Sequence, residues 1–153
     1  MPRLLVVHHT PSPPTHSLLE AVRAGADDPA LEGGVEVVVR PALVTSAVEV
    51  LEADGYVLGT PANLGYMSGA LKHFLDTVYY PCLDATAGRP WGLYVHGNND
   101  AEGAVRAVER IVTGLRWQAV AAPVVVIGAP AAADLAACHE LAATVAATLL
   151  TTV

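Results

Sequence analysis

The chain has 153 residues, of which 53% are hydrophobic and 15% are charged, and its formal net charge is −7. Its eight lysines and arginines are spread along the chain, so no basic patch is present to attract nucleic acid or an anionic membrane surface. We expect a single domain over residues 1–153. The small share of charged residues favours a buried subunit interface, and therefore a homodimer or a higher homo-oligomer.

The sequence also bears on membrane association and on the cellular compartment. Proline or polar residues interrupt the apolar stretches before about 18 positions, which predicts that no helix spans a membrane. The N-terminus enters a strand-like run at once and shows no signal peptide. Cys82 and Cys138 are isolated thiols without the spacing of metal ligands. We therefore predict a reduced, cytoplasmic protein without a metal site.

Five short apolar runs alternate with five helical patterns. The runs predict buried strands at residues 4–7, 35–39, 56–59, 91–96 and 124–127. Helical spacing of apolar residues, or alanine-rich composition, predicts helices at residues 18–26, 43–51, 67–78, 105–115 and 131–151. This alternation predicts an α/β fold: a doubly wound, five-stranded parallel sheet of order 2-1-3-4-5 with helices on both faces.

Smaller predictions accompany these elements. Thr15 or Ser17 is expected to cap the first helix, and Pro81 to stop the third. Lys72 and Asp76 are spaced for an ion pair on the third helix. Asp100 is placed to cap the fourth helix, and Met67 and Phe74 fit the hydrophobic core.

Ligands of such sheets bind beyond the carboxyl ends of the strands, near the point where the strand order reverses. This rule selects residues 8–15, 59–69 and 96–100, which we call the first, second and third loops. The second loop contains three glycines and a proline within eleven residues, which predicts an irregular loop that a flat ligand can approach.

The first loop carries three hydroxyls, those of Thr10, Ser12 and Thr15, and then opens a helix. Backbone N–H groups and the helix dipole at such a place attract a phosphate. Because the loop contains no lysine or arginine, it is not a nucleoside triphosphate loop and suits a monophosphate that stays bound. An ordinary proline-rich turn with a helix cap explains the same residues equally well.

Two of these loops resemble those of a known family. Thr10-x-Ser12-x-x-Thr15 resembles the T-x-T-G-x-T phosphate loop of flavodoxins, although Pro13 stands where glycine is usual. Residues 59–76 resemble the second flavin loop of flavodoxin-like NAD(P)H-dependent FMN reductases and quinone reductases, with the pattern G-[ST]-P-x-[YN]-x-G-x-[MP]-[SP]-G-x-[LM]-K-x-[FW]-[LI]-D. In topology and length the resemblance covers nearly the whole chain.

The resemblance implies a flavodoxin-like fold and non-covalently bound FMN. The first loop would hold the phosphate, the second would lie along the isoalloxazine ring, and the third would face its pyrimidine edge. His96 is the candidate catalytic residue, stabilising negative charge near N1 and O2 of the ring, although a histidine at a strand end is also typical of a structural role. The implied FMN-binding residues are His9, Thr10, Ser12, Pro14, Thr15, Pro61, Ala62, Asn63, Leu64, Gly65, Tyr66, Met67, His96, Gly97, Asn98 and Asn99.

The implied activity is hydride transfer from NADPH or NADH through FMN to a small acceptor such as a free flavin, a quinone, or an aromatic nitro or azo compound. Two alternatives stay open. The first is that the protein is a flavodoxin-type electron carrier without nicotinamide activity, and the second is that it is a degenerate flavodoxin-like interaction module. The dispersed acidic residues favour the enzyme over the carrier, and Pro13 with Pro14 keeps the interaction module open.

Overall fold

The computed structural model describes residues 1–151, and a parallel sheet lies at its centre between two layers of helices. The strands are β1 (Arg3–His8), β2 (Glu36–Pro41), β3 (Gly55–Asn63), β4 (Tyr66–Met67), β5 (Pro90–Gly97), β6 (Gln118–Ala119) and β7 (Val124–Ile127). The helices are α1 (Pro13–Ala26), α2 (Ala47–Glu52), α3 (Gly69–Cys82), α4 (Glu102–Leu115) and α5 (Ala132–Thr151), with short 3-10 turns at Pro29–Leu31 and Ala42–Val44.

The predicted strand order is confirmed. Strands β2, β1, β3 and β5 lie side by side and parallel, and the free edge of β5 pairs with both β6 and β7. The fifth strand is therefore divided into two pieces, since the chain leaves the sheet at residues 120–123, which include Pro123. The sheet has seven strands rather than five because of this division and because β4 pairs antiparallel with β3.

Both faces of the central strands β1, β3 and β5 are buried, as continuous apolar strands require. On one face Leu5 and Val7 of β1 pack with side chains of α3 and α4. On the other face Leu4 and Val6 pack with side chains of α1 and α5. Alternate residues of a single strand therefore enter two different cores, which explains why β1 shows no alternation of apolar and polar residues.

The second predicted helix, over residues 43–51, is wrong in its extent. A 3-10 turn comes first, and α2 starts only after Ser46, whose hydroxyl caps the Glu49 N–H while the Glu49 carboxylate accepts from the Ser46 N–H. Of the five apolar residues on which this prediction rests, Ala47 is half-buried against the core. The other four are exposed, namely Leu43 (59% exposed), Val44 (67%), Val48 (60%) and Leu51 (37%).

The expectation that every apolar stretch is too short to span a membrane is wrong for the C-terminal helix. α5 has 20 residues, and its most apolar 18-residue stretch has a mean hydropathy of 1.3, so by length and composition it could cross a membrane. In the structure it packs along α1, and Cys138, Leu141 and Val145 are among its buried residues. Since 33% of its most apolar 18-residue stretch is buried, packing accounts for part of its apolar character.

Pro81 does not stop α3 but lies in its last turn, one residue before the helix ends at Cys82. Proline is tolerated there because a single hydrogen bond of the final turn is lost. The predicted ion pair is confirmed, with Lys72 Nζ 2.7 Å from Asp76 Oδ1. Phe74 is fully buried, as expected for a core residue.

Tyr94 on β5 is a buried polar residue whose hydroxyl has no hydrogen-bond partner among the described residues. Burial raises the pKa of its phenol, which stays protonated. We expect Tyr94→Phe to raise the free energy of unfolding by about 1 kcal/mol, because it removes an unpaired hydroxyl from an apolar core. Urea denaturation of the two proteins measures the change, and a less stable Tyr94→Phe variant would show that the hydroxyl has a partner.

Candidate functional site

The strand register brings the three loops to the same edge of the sheet. His8 at the end of β1 lies opposite Gly59 in β3, and Pro61 of β3 lies opposite His96 of β5. The N–H of His9 donates to the carbonyl of Gly59 at 3.1 Å, so the first loop is tied to its neighbour where it leaves the sheet. These are the carboxyl ends of β1, β3 and β5, where the reversal of strand order leaves a crevice.

The second loop is a β-hairpin, and the prediction of an irregular loop is wrong for most of it. β3 continues through Pro61 to Asn63, and the chain returns as β4. Leu64 and Gly65 form the turn with φ values of +53° and +77°, the left-handed pair of a type I′ hairpin. Glycine and proline usually interrupt strands, which is why the sequence pattern did not reveal the hairpin.

Gly59 serves packing rather than ligand approach. A Cβ atom at this position would lie 2.0 Å from Cζ of Tyr94, so the aromatic ring occupies the space that a side chain would need. Gly65 and Gly69, in contrast, have no atom within 4 Å of the corresponding position. The room for a flat ligand therefore lies beside the turn of the hairpin and the start of α3.

Two contacts fix the hairpin. The Thr60 hydroxyl accepts from the N–H of Ser68 at 3.0 Å, and the Ser68 hydroxyl in turn accepts from the N–H of Leu71. At the tip, the Gly65 carbonyl oxygen lies against Gly103 of α4, where a Cβ atom would be 2.0 Å away. The role of Gly103 was not predictable from the sequence pattern, because it depends on a contact with Gly65, which lies 38 residues away along the chain.

The hairpin presents exposed side chains to solvent at its tip. Leu64 is fully exposed, Tyr66 is 43% exposed and Asn63 is also exposed. Met67 points the other way and is only 2% exposed, inside the core. The side chain of Met67 therefore belongs to packing, and Tyr66 is the aromatic group available at this edge.

The first loop ends in a helix cap. Ser12, rather than the predicted Thr15 or Ser17, is the N-cap residue of α1, and Pro13 and Pro14 are the first two residues of the helix. Proline suits these positions because its fixed φ is helical and its missing N–H would have no partner within the helix. The Ser12 hydroxyl accepts from the Thr15 N–H, and the Thr15 hydroxyl accepts from the Ser12 N–H at 3.1 Å.

This cap leaves few donors for a phosphate at the start of α1. Of the four N–H positions from Ser12 to Thr15, which have no partner in the helix backbone, Pro13 and Pro14 have no N–H, and Ser12 and Thr15 each donate to the other's hydroxyl. Thr15 is 2% exposed, and its hydroxyl also lies 2.9 Å from that of Ser12. The donor set at this helix start therefore fits a phosphate poorly, although its position in the fold is the expected one.

The remainder of the first loop adds little positive charge. Pro11 has no N–H, and the N–H of Thr10 makes no hydrogen bond within residues 1–151. The Thr10 hydroxyl lies 2.7 Å from Nδ1 of His8. Burial, followed by repulsion from His9 and Arg23, lowers the pKa of His8, so this imidazole is neutral at pH 7.

His96 is held by a hydrogen bond to the loop after β7. Its ring is 6% exposed, and its Nε2 lies 2.9 Å from the carbonyl oxygen of Gly128, which requires Nε2 to donate. The Gly128 N–H donates in turn to the carbonyl of Gly97 at 2.8 Å. These bonds tie the third loop to β7, and the sequence pattern gave no signal for Gly128.

The third loop offers unused donors. Asn98 and Asn99 are exposed, and among the described residues their backbone N–H groups make no hydrogen bond. The side chain of Asn99 accepts from the N–H of Asp100, and the carboxylate of Asp100 accepts from the N–H of Glu102 at 3.0 Å. Asp100 is not the N-cap residue of α4 as predicted, since that residue is Ala101, but its carboxylate still accepts from the first N–H of the helix. The free N–H groups of the third loop therefore fit the electron-rich edge of a flavin ring, whereas the first loop fits a phosphate poorly.

The predicted site is an open edge rather than an enclosed cavity. A cavity of about 760 Å³ lies between α1 and β2 and is lined by none of the predicted FMN-binding residues.

The sequence matches the NADPH-dependent FMN reductase family over residues 27–132. The chain belongs to this family. The match includes the second and third loops and begins after the first. Family membership supports FMN as the cofactor, and an oxidoreductase or electron carrier as the functional class.

This member of the FMN reductase family also has more distant relatives. It is 36% identical to a flavodoxin of Aquifex aeolicus (strain VF5) over 78 residues, which are 51% of this chain and 40% of that protein. The match thus spans less than half of the flavodoxin's length.

Two solved structures show the same flavodoxin-like fold. A flavodoxin from the domain Archaea superimposes with a TM-score of 0.82 at 18% identity, covering 97% of this chain and 99% of the other. A flavodoxin, WrbA-like protein from Agrobacterium tumefaciens gives a TM-score of 0.78 at 16% identity, covering 98% of each chain. The predicted flavodoxin-like fold is confirmed.

Proposed function

We propose that the protein binds FMN non-covalently at this edge and transfers hydride from NADPH or NADH through FMN to a small acceptor. The observation that carries the proposal is the family match, which spans the hairpin and the third loop. The acceptor is an aromatic or quinonoid molecule, including free flavins, quinones and nitro or azo compounds. The open edge supports this class because a second planar molecule has access to it.

The described residues have separate tasks in this proposal. The hairpin, fixed by Thr60 and Gly103, orients the ring beside Gly65 and the exposed Tyr66. The free N–H groups of Asn98 and Asn99 donate to the pyrimidine edge, where they stabilise negative charge. When bound, FMN supplies the group that accepts and donates hydride.

His96 remains the proposed catalytic residue at the pyrimidine edge, and the geometry supports a positioning role beside it. Because Nε2 is engaged with Gly128, the ring holds the third loop and the amides of Asn98 and Asn99 in place. No side-chain acid or base is required for hydride transfer itself, so orientation and electrostatics carry the rate.

NADPH oxidation tests the proposal directly. Purified protein is loaded with FMN, and the loss of NADPH absorbance is followed with a quinone, a nitro compound and free flavin as acceptors. We expect turnover with at least one acceptor and a yellow protein in the absence of substrates. If the protein binds FMN but oxidises neither NADPH nor NADH with any of these acceptors, the proposed hydride transfer is rejected.

A flavodoxin-type electron carrier is the second candidate, favoured by the curated relative that is a flavodoxin. In that case the reduced protein passes electrons to a protein partner and does not react with nicotinamides. Anaerobic mixing of the oxidised, FMN-loaded protein with NADPH, with and without an added flavodoxin reductase, distinguishes the two, since a carrier is reduced by NADPH only through the reductase.

We also propose that the protein is a cytoplasmic homodimer. Exposed apolar side chains on the Ala42–Val44 turn and α2 support a subunit interface, and so does Tyr80 of α3, which is 80% exposed. The free thiols Cys82 and Cys138, both buried, support a reducing compartment. Light scattering after size-exclusion chromatography measures the mass in solution.

A further inference from the structure

We infer that the phosphate of FMN contributes little to binding, so that riboflavin binds this protein nearly as tightly as FMN. The inference rests on the proposed function, because it requires flavin to occupy this edge of the sheet. It makes flavins without a phosphate a ligand class of the same site and makes FMN readily exchangeable.

The first step concerns the start of α1. The first N–H groups of a helix normally bind a phosphate because they have no partner within the helix. Here Pro13 and Pro14 remove two of them, the Thr15 N–H donates to the Ser12 hydroxyl, and the Ser12 N–H donates to the Thr15 hydroxyl. The amide groups that usually hold an anion at this place in the fold are thus either missing or engaged.

The second step concerns the hydroxyls and the charge. The hydroxyls of Ser12 and Thr15 bind each other and the backbone of the cap, so a phosphate has to break the cap before it gains either of them. Thr10 keeps a free N–H, but its hydroxyl is paired with His8. No lysine or arginine lies in residues 8–15, and the chain as a whole carries a charge of −7, which opposes a dianion.

The two ends of the ligand would meet different sets of donors. At the ring end, the N–H groups of Asn98 and Asn99 are free and there is open space beside Gly65 and Gly69. Binding energy is therefore concentrated on the isoalloxazine, which FMN and riboflavin share.

Flavin titrations of the full chain test the inference. The dissociation constants of FMN and riboflavin are measured by quenching of flavin fluorescence, with no nicotinamide present. We expect the two constants to differ by less than tenfold. A tenfold or greater preference for FMN overturns the inference and leaves the proposed function intact. If neither flavin binds, both fail.

A variant that restores donors provides a second test. Pro13→Gly combined with Pro14→Ala returns two N–H groups to the start of α1, and each hydrogen bond to a charged phosphate corresponds to at least about tenfold in affinity. We expect FMN to bind at least about tenfold more tightly and riboflavin to be unchanged. Equal changes for both ligands, or no change for either, contradict the inference.

Pro29→Ala is the matched control, since Pro29 opens a 3-10 turn away from all three loops. It should leave both dissociation constants as they are. Circular dichroism establishes that each variant is folded. If the double variant does not fold, the ratio of the riboflavin and FMN dissociation constants of the natural chain decides.

Discussion

Replacing Gly59 with alanine is expected to destabilise the protein by about 3 kcal/mol. The new Cβ atom would lie 2.0 Å from Cζ of Tyr94 and 2.3 Å from its hydroxyl oxygen. Tyr94 is 2% exposed between the sheet and α5, so the ring cannot move away without disturbing the core. Urea denaturation followed by circular dichroism measures the effect as a lower midpoint at unchanged slope.

Gly69→Ala is the matched control for Gly59→Ala, because no atom lies within 4 Å of its Cβ position. It should change stability by less than about 0.5 kcal/mol. Combining Gly59→Ala with Tyr94→Leu should cost less than the sum of the two single changes, because the smaller side chain makes room for the methyl group. Equal stabilities of Gly59→Ala and Gly69→Ala would show that Tyr94 does not require the glycine.

Gly103→Ala is expected to weaken FMN binding by about tenfold or more and to slow NADPH oxidation by about a hundredfold. Its Cβ atom would lie 2.0 Å from the carbonyl oxygen of Gly65, and a backbone atom cannot rotate out of the way as a side chain does. The tip of the hairpin must therefore shift, and the ring site shifts with it. Fluorescence titration and steady-state rates measure the two effects.

Gly114→Ala in the same helix is the control for Gly103→Ala. Its Cβ atom meets the hydroxyl end of Tyr79, which lies partly exposed and can turn aside. This variant should keep the flavin affinity of the natural protein, and it also gains helix propensity from alanine. FMN binding by Gly103→Ala at the natural affinity would show that the hairpin does not depend on α4.

The sheet could be predicted from sequence because its determinants are local. Runs such as Leu4 to Val7 are apolar throughout, as strands buried on both faces must be, and the strand order follows from the alternation with helices. The three loops at the site follow from this order alone. Their approximate place was therefore predictable before any atom of the site was known.

Their internal structure was not predictable in the same way. Glycine is required at position 59 because of Tyr94, which lies 35 residues away along the chain, and at position 103 because of Gly65, which lies 38 residues away. From the sequence alone, a glycine indicates that the backbone can adopt unusual conformations. Here glycine is required instead because a group distant in sequence occupies the space that a side chain would need. The same limit applies to residues 43–51, where apolar periodicity gave no sign that four of the five apolar residues are exposed.

The divided fifth strand has a consequence for aggregation. A long, flat, apolar strand at a sheet edge can pair with the edge of another molecule and start a fibre. β7 is four residues long and exposes Val125 and Ile127, the kind of sequence that favours such pairing. Because the chain leaves the sheet before β7, its row of free N–H and C=O groups is short, and intermolecular sheet growth from this side is disfavoured.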